Sequence, residues 1–171
     1  MPLAARSERA HSGYMITAQD GTRQEDLDSR PADGSRHHCG LDCPVTHVMS
    51  APPVFGDPEM SLRSVAETMS ADGVGALVLL SPDGPSSIVT ERDVVNALAL
   101  EANADTVWAA DVSSDELYSL DAGDTVADAI RIMAGDRVRH LPVCQAGEVI
   151  GMVSARDVLA AVASLLPVPA R

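Results

Sequence analysis

Two short stretches of this chain could do chemistry, and they are nearly the same stretch. Thr90-Glu91-Arg92-Asp93 and Ser154-Ala155-Arg156-Asp157 each set a hydroxyl three residues ahead of a carboxylate, where an apolar run gives way to helical spacing. The simplest reading is a capping box, in which hydroxyl and carboxylate each satisfy a backbone N–H of the helix's first turn. The same groups could serve a ligand. A helix entrance exposes unpaired N–H groups and a partial positive charge, which favour a phosphate. A hydroxyl there can hydrogen-bond that phosphate, and an ionised Asp one turn in can accept from both hydroxyls of a ribose. Capping when empty and binding when filled are compatible uses.

A second cluster competes for attention. His37, His38, Cys39, Cys43 and His47 lie close together, and Cys39-x3-Cys43-x3-His47 offers ligand types that suit Zn²⁺. The spacing matches no familiar structural-zinc pattern, so the expectation is no metal, with these three as the residues to check. A disulfide between Cys39 and Cys43 is not expected in a reducing compartment. Cys144 ends an apolar strand and reads as a small buried hydrophobe. No nucleophile–base constellation or Gly-rich phosphate loop stands at a persuasive spacing.

The elements that must position the two entrances follow from a repeat. Shifted by 64 residues, positions 47–99 fall on 111–163 without a gap: Val48 meets Val112, Asp57 meets Asp121, Met69 meets Met133, and Thr90 and Asp93 meet Ser154 and Asp157. Two copies point to a pseudo-symmetric pair and not a solenoid. Each copy reads as β-α-β-β-α. A short extended piece (Pro53–Phe55; Leu117–Leu120) precedes a helix whose apolar residues fall at i, i+3, i+4 and i+7, namely Leu62, Val65, Ala66 and Met69, then Val126, Ala129, Ile130 and Met133. Asp124 or Thr125 would cap the second of these. Two strands follow, Ala76–Leu80 with Ser87–Val89 and His140–Cys144 with Val149–Val153, joined by turn-forming residues. A closing helix ends each copy. One copy alone would be marginal, so the two are expected to share a core.

Composition limits the partners. The chain has 171 residues, 12 basic and 25 acidic side chains, and no Lys. Residues 41–171 carry nearly all of the net charge of −13, a body that repels phosphate backbones at long range, so nucleic acid is not an expected partner. Four aromatics (Tyr14, Phe55, Trp108, Tyr118) are too few for a base-stacking platform. No apolar run is long enough to cross a bilayer and no hydrophobic signal segment opens the chain, so the expected setting is cytoplasmic, without a membrane partner. Residues 1–43 lack periodicity and read as a flexible extension.

The repeated Ile88-Val89-Thr90-Glu91-Arg92-Asp93 and Gly151-Met152-Val153-Ser154-Ala155-Arg156-Asp157, with Val138-Arg139-His140-Leu141-Pro142-Val143 and the 64-residue offset, resemble a tandem pair of CBS domains, the Bateman module, in its small stand-alone form. The resemblance implies an α/β fold of α+β type, with CBS repeats at 44–100 and 110–166, a linker at 101–109, and a tail at 167–171. It implies a non-catalytic regulatory module that needs no cofactor and binds an adenosyl ligand (AMP, ADP, ATP or S-adenosylmethionine) between the repeats. It further implies a homodimer and a downstream protein that reads the bound state. Carried over by position, Ser154 and Asp157 take phosphate and ribose, Arg139 and His140 contact phosphate, and Leu141, Pro142 and Val153 line the adenine slot. Tyr118 borders the base, and Arg92 and Arg156 supply charge. In the first copy Thr90 and Asp93 match, but Gly75 and Ala76 stand where the second copy has Arg139 and His140. The expected better cleft is therefore the one around Ser154 and Asp157, and the acidic body tilts the ligand towards a monophosphate such as AMP, or a cationic adenosyl compound, over a triphosphate. The alternative is a ligand-free dimeric scaffold whose motifs only cap helices.

Overall fold

The structure is a computed structural model, and it describes residues 40–82, 84–114 and 117–166. His37, His38, Cys39 and the tail at 167–171 lie outside the described residues, as does most of the expected extension. Each copy of the repeat builds a three-stranded sheet with helices packed on it. In the first, β1 (Phe55–Gly56) pairs in parallel with β2 (Ala76–Ser81), which pairs antiparallel with β3 (Gly84–Thr90). α1 (Leu62–Asp72) joins β1 to β2, α2 (Glu91–Ala99) follows β3, and the short α3 (Ala109–Val112) follows the linker. The second sheet, β4 (Leu120–Asp121), β5 (His140–Gln145) and β6 (Glu148–Ser154), repeats that order with α4 (Val126–Asp136) and α5 (Ala155–Ala163).

The offset of 64 holds at the level of register. Ala76 faces Thr90 as His140 faces Ser154, and a bulge falls between Leu79 and Leu80 as between Val143 and Cys144. The strands are longer than their apolar cores alone indicate, because the polar turn residues pair as well. In the second hairpin Ala146 and Gly147 form the two-residue loop, both with positive φ (51° and 87°), the geometry that matches strand twist.

The helices start where the hydroxyls fall. Ser61 Oγ accepts from Ser64 N at 3.2 Å, and Thr125 Oγ1 accepts from Asp128 N at 3.3 Å, so Thr125 and not Asp124 is the cap of α4. Leu62, Val65 and Met69 turn inward on α1, as do Val126, Ala129 and Met133 on α4. Burying each of the larger ones contributes about 1.5–3 kcal/mol.

The cores do not follow the sequence repeats. Val45, from the first copy, is fully buried among Leu120, Val126, Leu141, Val143 and Val153 of the second. Ala109, its counterpart in the second copy, is fully buried among Leu62, Leu77 and Val89 of the first. Backbone hydrogen bonds repeat the exchange: Val45 N donates to Asp124 O at 2.8 Å, and Ala109 N donates to Met60 O at 2.8 Å. Ser50 bridges to Met152 of β6, and Ser114 bridges to Ile88 of β3. Each copy's lead segment is thus laid into the other copy's sheet.

Two contacts fit the exchange. Ser113 Oγ donates to the buried Ser87 Oγ at 3.1 Å, whereas at the matching places Gly151 leaves room for Met49, whose Sδ would lie 2.5 Å from a Cβ on residue 151. The lead segment is also ordered earlier than the expected boundary at 43, since Leu41 O and Cys43 O accept from Ala127 N and Val126 N at 2.9 Å. Val45→Ala is expected to cost about 2 kcal/mol in denaturant unfolding. Its loss of hydrogen-exchange protection should concentrate in α4, β5 and β6, outside the sequence copy that contains the substitution.

Candidate functional site

At both expected entrances the hydroxyl and carboxylate are closed on each other. Thr90 N and Thr90 Oγ1 donate to Asp93 Oδ2 at 2.8 and 2.6 Å, and Ser154 N and Ser154 Oγ donate to Asp157 Oδ2 at 2.8 and 2.6 Å. Thr125 and Asp128 form the same box on α4, at 3.0 and 2.6 Å. The box is therefore a capping device first. In Asp93 and Asp157 a single oxygen takes both bonds, leaving Oδ1 without a hydrogen bond among the described residues.

What distinguishes the entrances is their surroundings. A cleft of about 290 Å³ opens at Thr90, beside Arg92 and Asp93 at the start of α2 and Ile88 of β3. Its volume sits at the lower end for small-molecule sites, roughly 300–1,000 Å³. Ser114 and Tyr118, from the crossing segment that leads to β4, form a second side. The third side is the corner between α4 and β5, with Asp136, Arg137, Val138, Arg139 and His140. The cleft thus draws on both sequence copies. Three guanidiniums and one imidazole face two carboxylates, an excess of positive charge on a chain of net charge −13.

This arrangement regroups the expected site. Arg139 and His140 were assigned to Ser154 and Asp157, but they open onto Thr90 and Asp93. The reason is the exchange of lead segments, which sets the start of β5 against the first copy. A Cβ built on Gly75 would lie 3.0 Å from His140 Nε2. Ser154, Asp157 and Arg156 do not line this cleft. Leu141 and Val153 are fully buried and Pro142 is buried, so these three form the floor of the sheet and not the wall of an open slot.

Moving each lining residue by 64 gives the counterpart surroundings of Ser154. Gly73, Gly75, Ala76 and Val54 there replace Arg137, Arg139, His140 and Tyr118, while Arg156 and Asp157 replace Arg92 and Asp93. The Ser154 entrance keeps one Arg.

Arg137 was not among the expected site residues. It ends α4 in the left-handed conformation, φ 58°, where the first copy has Gly73 at φ 67°. A bulky residue in that conformation carries strain of order 1 kcal/mol or more, and such strain collects at functional positions. An Arg where the other copy has a helix-ending Gly was the signal available in the sequence.

His140 is half-buried, and burial first, then the Arg139 charge, pushes its pKa below the ordinary histidine value. Burial likewise raises the Cys144 thiol, which is free but only partly buried. Cys43 is disulfide-bonded, so it is no thiolate ligand, which corrects the expectation of a reduced cysteine there. Its Sγ lies 3.5 Å from His47 Nδ1, and no three metal-ligating side chains converge among the described residues. A second depression, lined by Asp124, Asp128, Arg131, Ile132 and Asp136, is mainly acidic and contains none of the expected residues.

The CBS domain profile matches residues 45–100 and 109–164, and the chain belongs to the CBS-domain family. Protein MK0525 of Methanopyrus kandleri is 30% identical over 109 residues, 62% of this chain and 56% of its own length. A 33.4 kDa protein from the ribosomal RNA operon of Thermofilum pendens is 35% identical over 100 residues, 57% of this chain and 32% of its own length. The chain thus matches about half or less of those relatives. Among solved structures, the CBS protein PAE2072 of Pyrobaculum aerophilum, complexed with AMP, is 27% identical with a TM-score of 0.62, covering 71% of this chain and 98% of that one. ATU1752 of Agrobacterium tumefaciens is 30% identical with a TM-score of 0.61, covering 64% and 84%.

Two measurements check this geometry. Hydrogen bonds from Thr125, then Arg131, hold the Asp128 carboxyl down at about 2. A depressed carboxyl stabilises the fold above its unfolded value near 4 and loses that contribution as pH falls through its folded value. Stability should therefore decline from about pH 4 to pH 2, and Asp128→Asn should flatten that part of the profile. Arg137→Gly should raise the melting temperature by relieving the left-handed turn, worth up to about 1 kcal/mol.

Proposed function

We propose that this protein is a non-catalytic regulatory module that binds one adenosyl anion, of the AMP type, in the cleft between Thr90 and His140. The observation that carries this reading is the concentration of Arg92, Arg137, Arg139 and His140 around the entrance to α2, on a body otherwise strongly acidic. The phosphate would lie towards the start of α2 and the arginine corner, where the positive end of the helix dipole meets fixed positive charge. Asp93 Oδ1, which takes no hydrogen bond among the described residues, would accept from the ribose. Tyr118 offers the one aromatic face in the cleft for the base. The AMP complex of a 27% identical relative supports the ligand class. The Ser154 entrance, with Gly73, Gly75 and Ala76 in place of cationic side chains, would bind such an anion far more weakly.

Because the cleft walls come from both copies, a ligand would tie α2 to the α4–β5 corner. It would favour whichever relative placement of the two halves closes that gap, and a downstream protein would read the shift. The same reading includes a homodimer. Val95 and Leu98 of α2 and Leu159 of α5 are 62%, 50% and 67% exposed, and Val95 and Leu159 occupy matching repeat positions. Those faces are related by the pseudo-two-fold, so a second copy would meet each with its like.

At a hundred times its Kd, AMP should stabilise the protein by about 2.7 kcal/mol. Asp93→Ala and Arg139→Ala should remove most of the AMP-induced rise in melting temperature, each measured against its own baseline. Asp157→Ala should retain most of it. The reverse ranking, or no rise in the wild type with any adenosyl ligand, would leave the scaffold as the remaining reading. Leu159→Asp should convert a dimer to a monomer in sedimentation while leaving AMP binding in place.

A further inference from the structure

Among the residues lining the cleft, His140 is the one whose ordinary pKa falls near neutrality. Its placement is unusual for a ligand contact. The imidazole is seated on the backbone of Gly75: a methyl group added there would lie 3.0 Å from Nε2, 3.2 Å from Cε1 and 3.3 Å from Glu91 Oε2. Across to the neighbouring strand β6, His140 is the register partner of Ser154. The side chain therefore sits where the start of α2, the start of α5 and the ligand cleft meet. It has no twin, because the matching position in the first copy is Ala76.

We infer that His140 takes up a proton when an anion enters the cleft, so that binding is proton-coupled and strengthens as the pH falls. This rests on the functional reading above. In the empty cleft, burial and Arg139 favour the neutral ring, Arg156 of α5 adds to them, and Glu91 of α2 and Asp157 of α5 act in the opposite sense. Arg92 and Asp93 of α2 and Asp136 and Arg137 at the end of α4 complete the charged groups around the cleft. Of the cations, Arg92, Arg137 and Arg139 line the cleft and are the side chains that an arriving phosphate would neutralise. Once their field is offset, the ring has an anion before it and Glu91 and Asp157 beside it, an environment that favours imidazolium. The proton comes from solvent and no bond other than N–H forms. His140 acts here as a binding residue that sets the strength of anion recognition.

The sign follows from linkage. The bound-state midpoint lies above the free one. The extra affinity is fully present below the free midpoint, falls as pH rises between the two, and is gone above the bound one. A one-unit difference between the midpoints makes the total change tenfold. AMP itself titrates near pH 6 and gains charge as pH rises. The test therefore compares wild type with His140→Gln, which carries the nucleotide's own titration but not the imidazole's. AMP affinity is measured by calorimetry from about pH 5.5 to about pH 8, with uncharged adenosine as the second probe.

The expected result is a wild-type to variant affinity ratio for AMP that falls about tenfold across the range, and no such fall for adenosine. In the wild type, the NMR titration midpoint of His140 should rise when AMP is added, a readout that holds even if the variant folds poorly. AMP binding with a flat ratio and an unmoved midpoint would overturn the coupling and leave the functional reading standing. Failure of AMP to bind at any pH would overturn both.

Discussion

The constraint on which the molecule depends is that neither sequence copy completes its own core. Val45 fills a place among the second copy's leucines and valines, and Ala109 fills one in the first. Each lead segment is then locked by a backbone bridge, Ser50 to Met152 and Ser114 to Ile88. Hydrophobic burial and strand pairing act on the same residues, so the two halves cannot separate without exposing both cores. That mutual dependence is what lets units of about 55 residues, marginal by themselves, hold a cleft between them.

The crossing also decides which side chains share a surface. A segment leaving β3 and α2 by way of α3 returns along β3 before entering the second sheet, and it brings Ser114 and Tyr118 to the entrance of α2. The corner after α4 closes the other side. Charge segregates as a result: acidic residues dominate the body, while three of the few arginines gather around one cleft. Local positive potential in an acidic molecule is a selective arrangement, since long-range repulsion discourages large polyanions while short-range contacts hold a small one.

Much of this was legible in the residues. The offset of 64, the strand pairs and the two capping boxes at Thr90 and Ser154 all express local rules: alternating burial, turn chemistry and hydroxyls ahead of helical spacing. Those rules act over a few residues, and the repeat shows each of them twice. The exchange of lead segments was not legible, because Val45 and Ala109 look the same whether they pack at home or away. That single unknown regroups the expected residues: Arg139 and His140 adjoin Ser154 in register, yet line the cleft at Thr90. Arg137 was missed for a different reason. Its route into the cleft depends on a left-handed turn, and an arginine in that turn contradicts propensity. The disulfide at Cys43 was likewise contrary to the compartment argument, which addresses where bridges persist and not which cysteines are in reach.

The seat of His140 on Gly75 matches the difference between the copies at that point. Placing Arg at position 75 would bring a side chain against the space that the His140 ring already fills. A Cβ at position 75 would meet His140 Nε2 at 3.0 Å, so a larger residue there requires the ring to give way. The two halves are seat and occupant rather than duplicates, the small residue of one lying under the ring of the other.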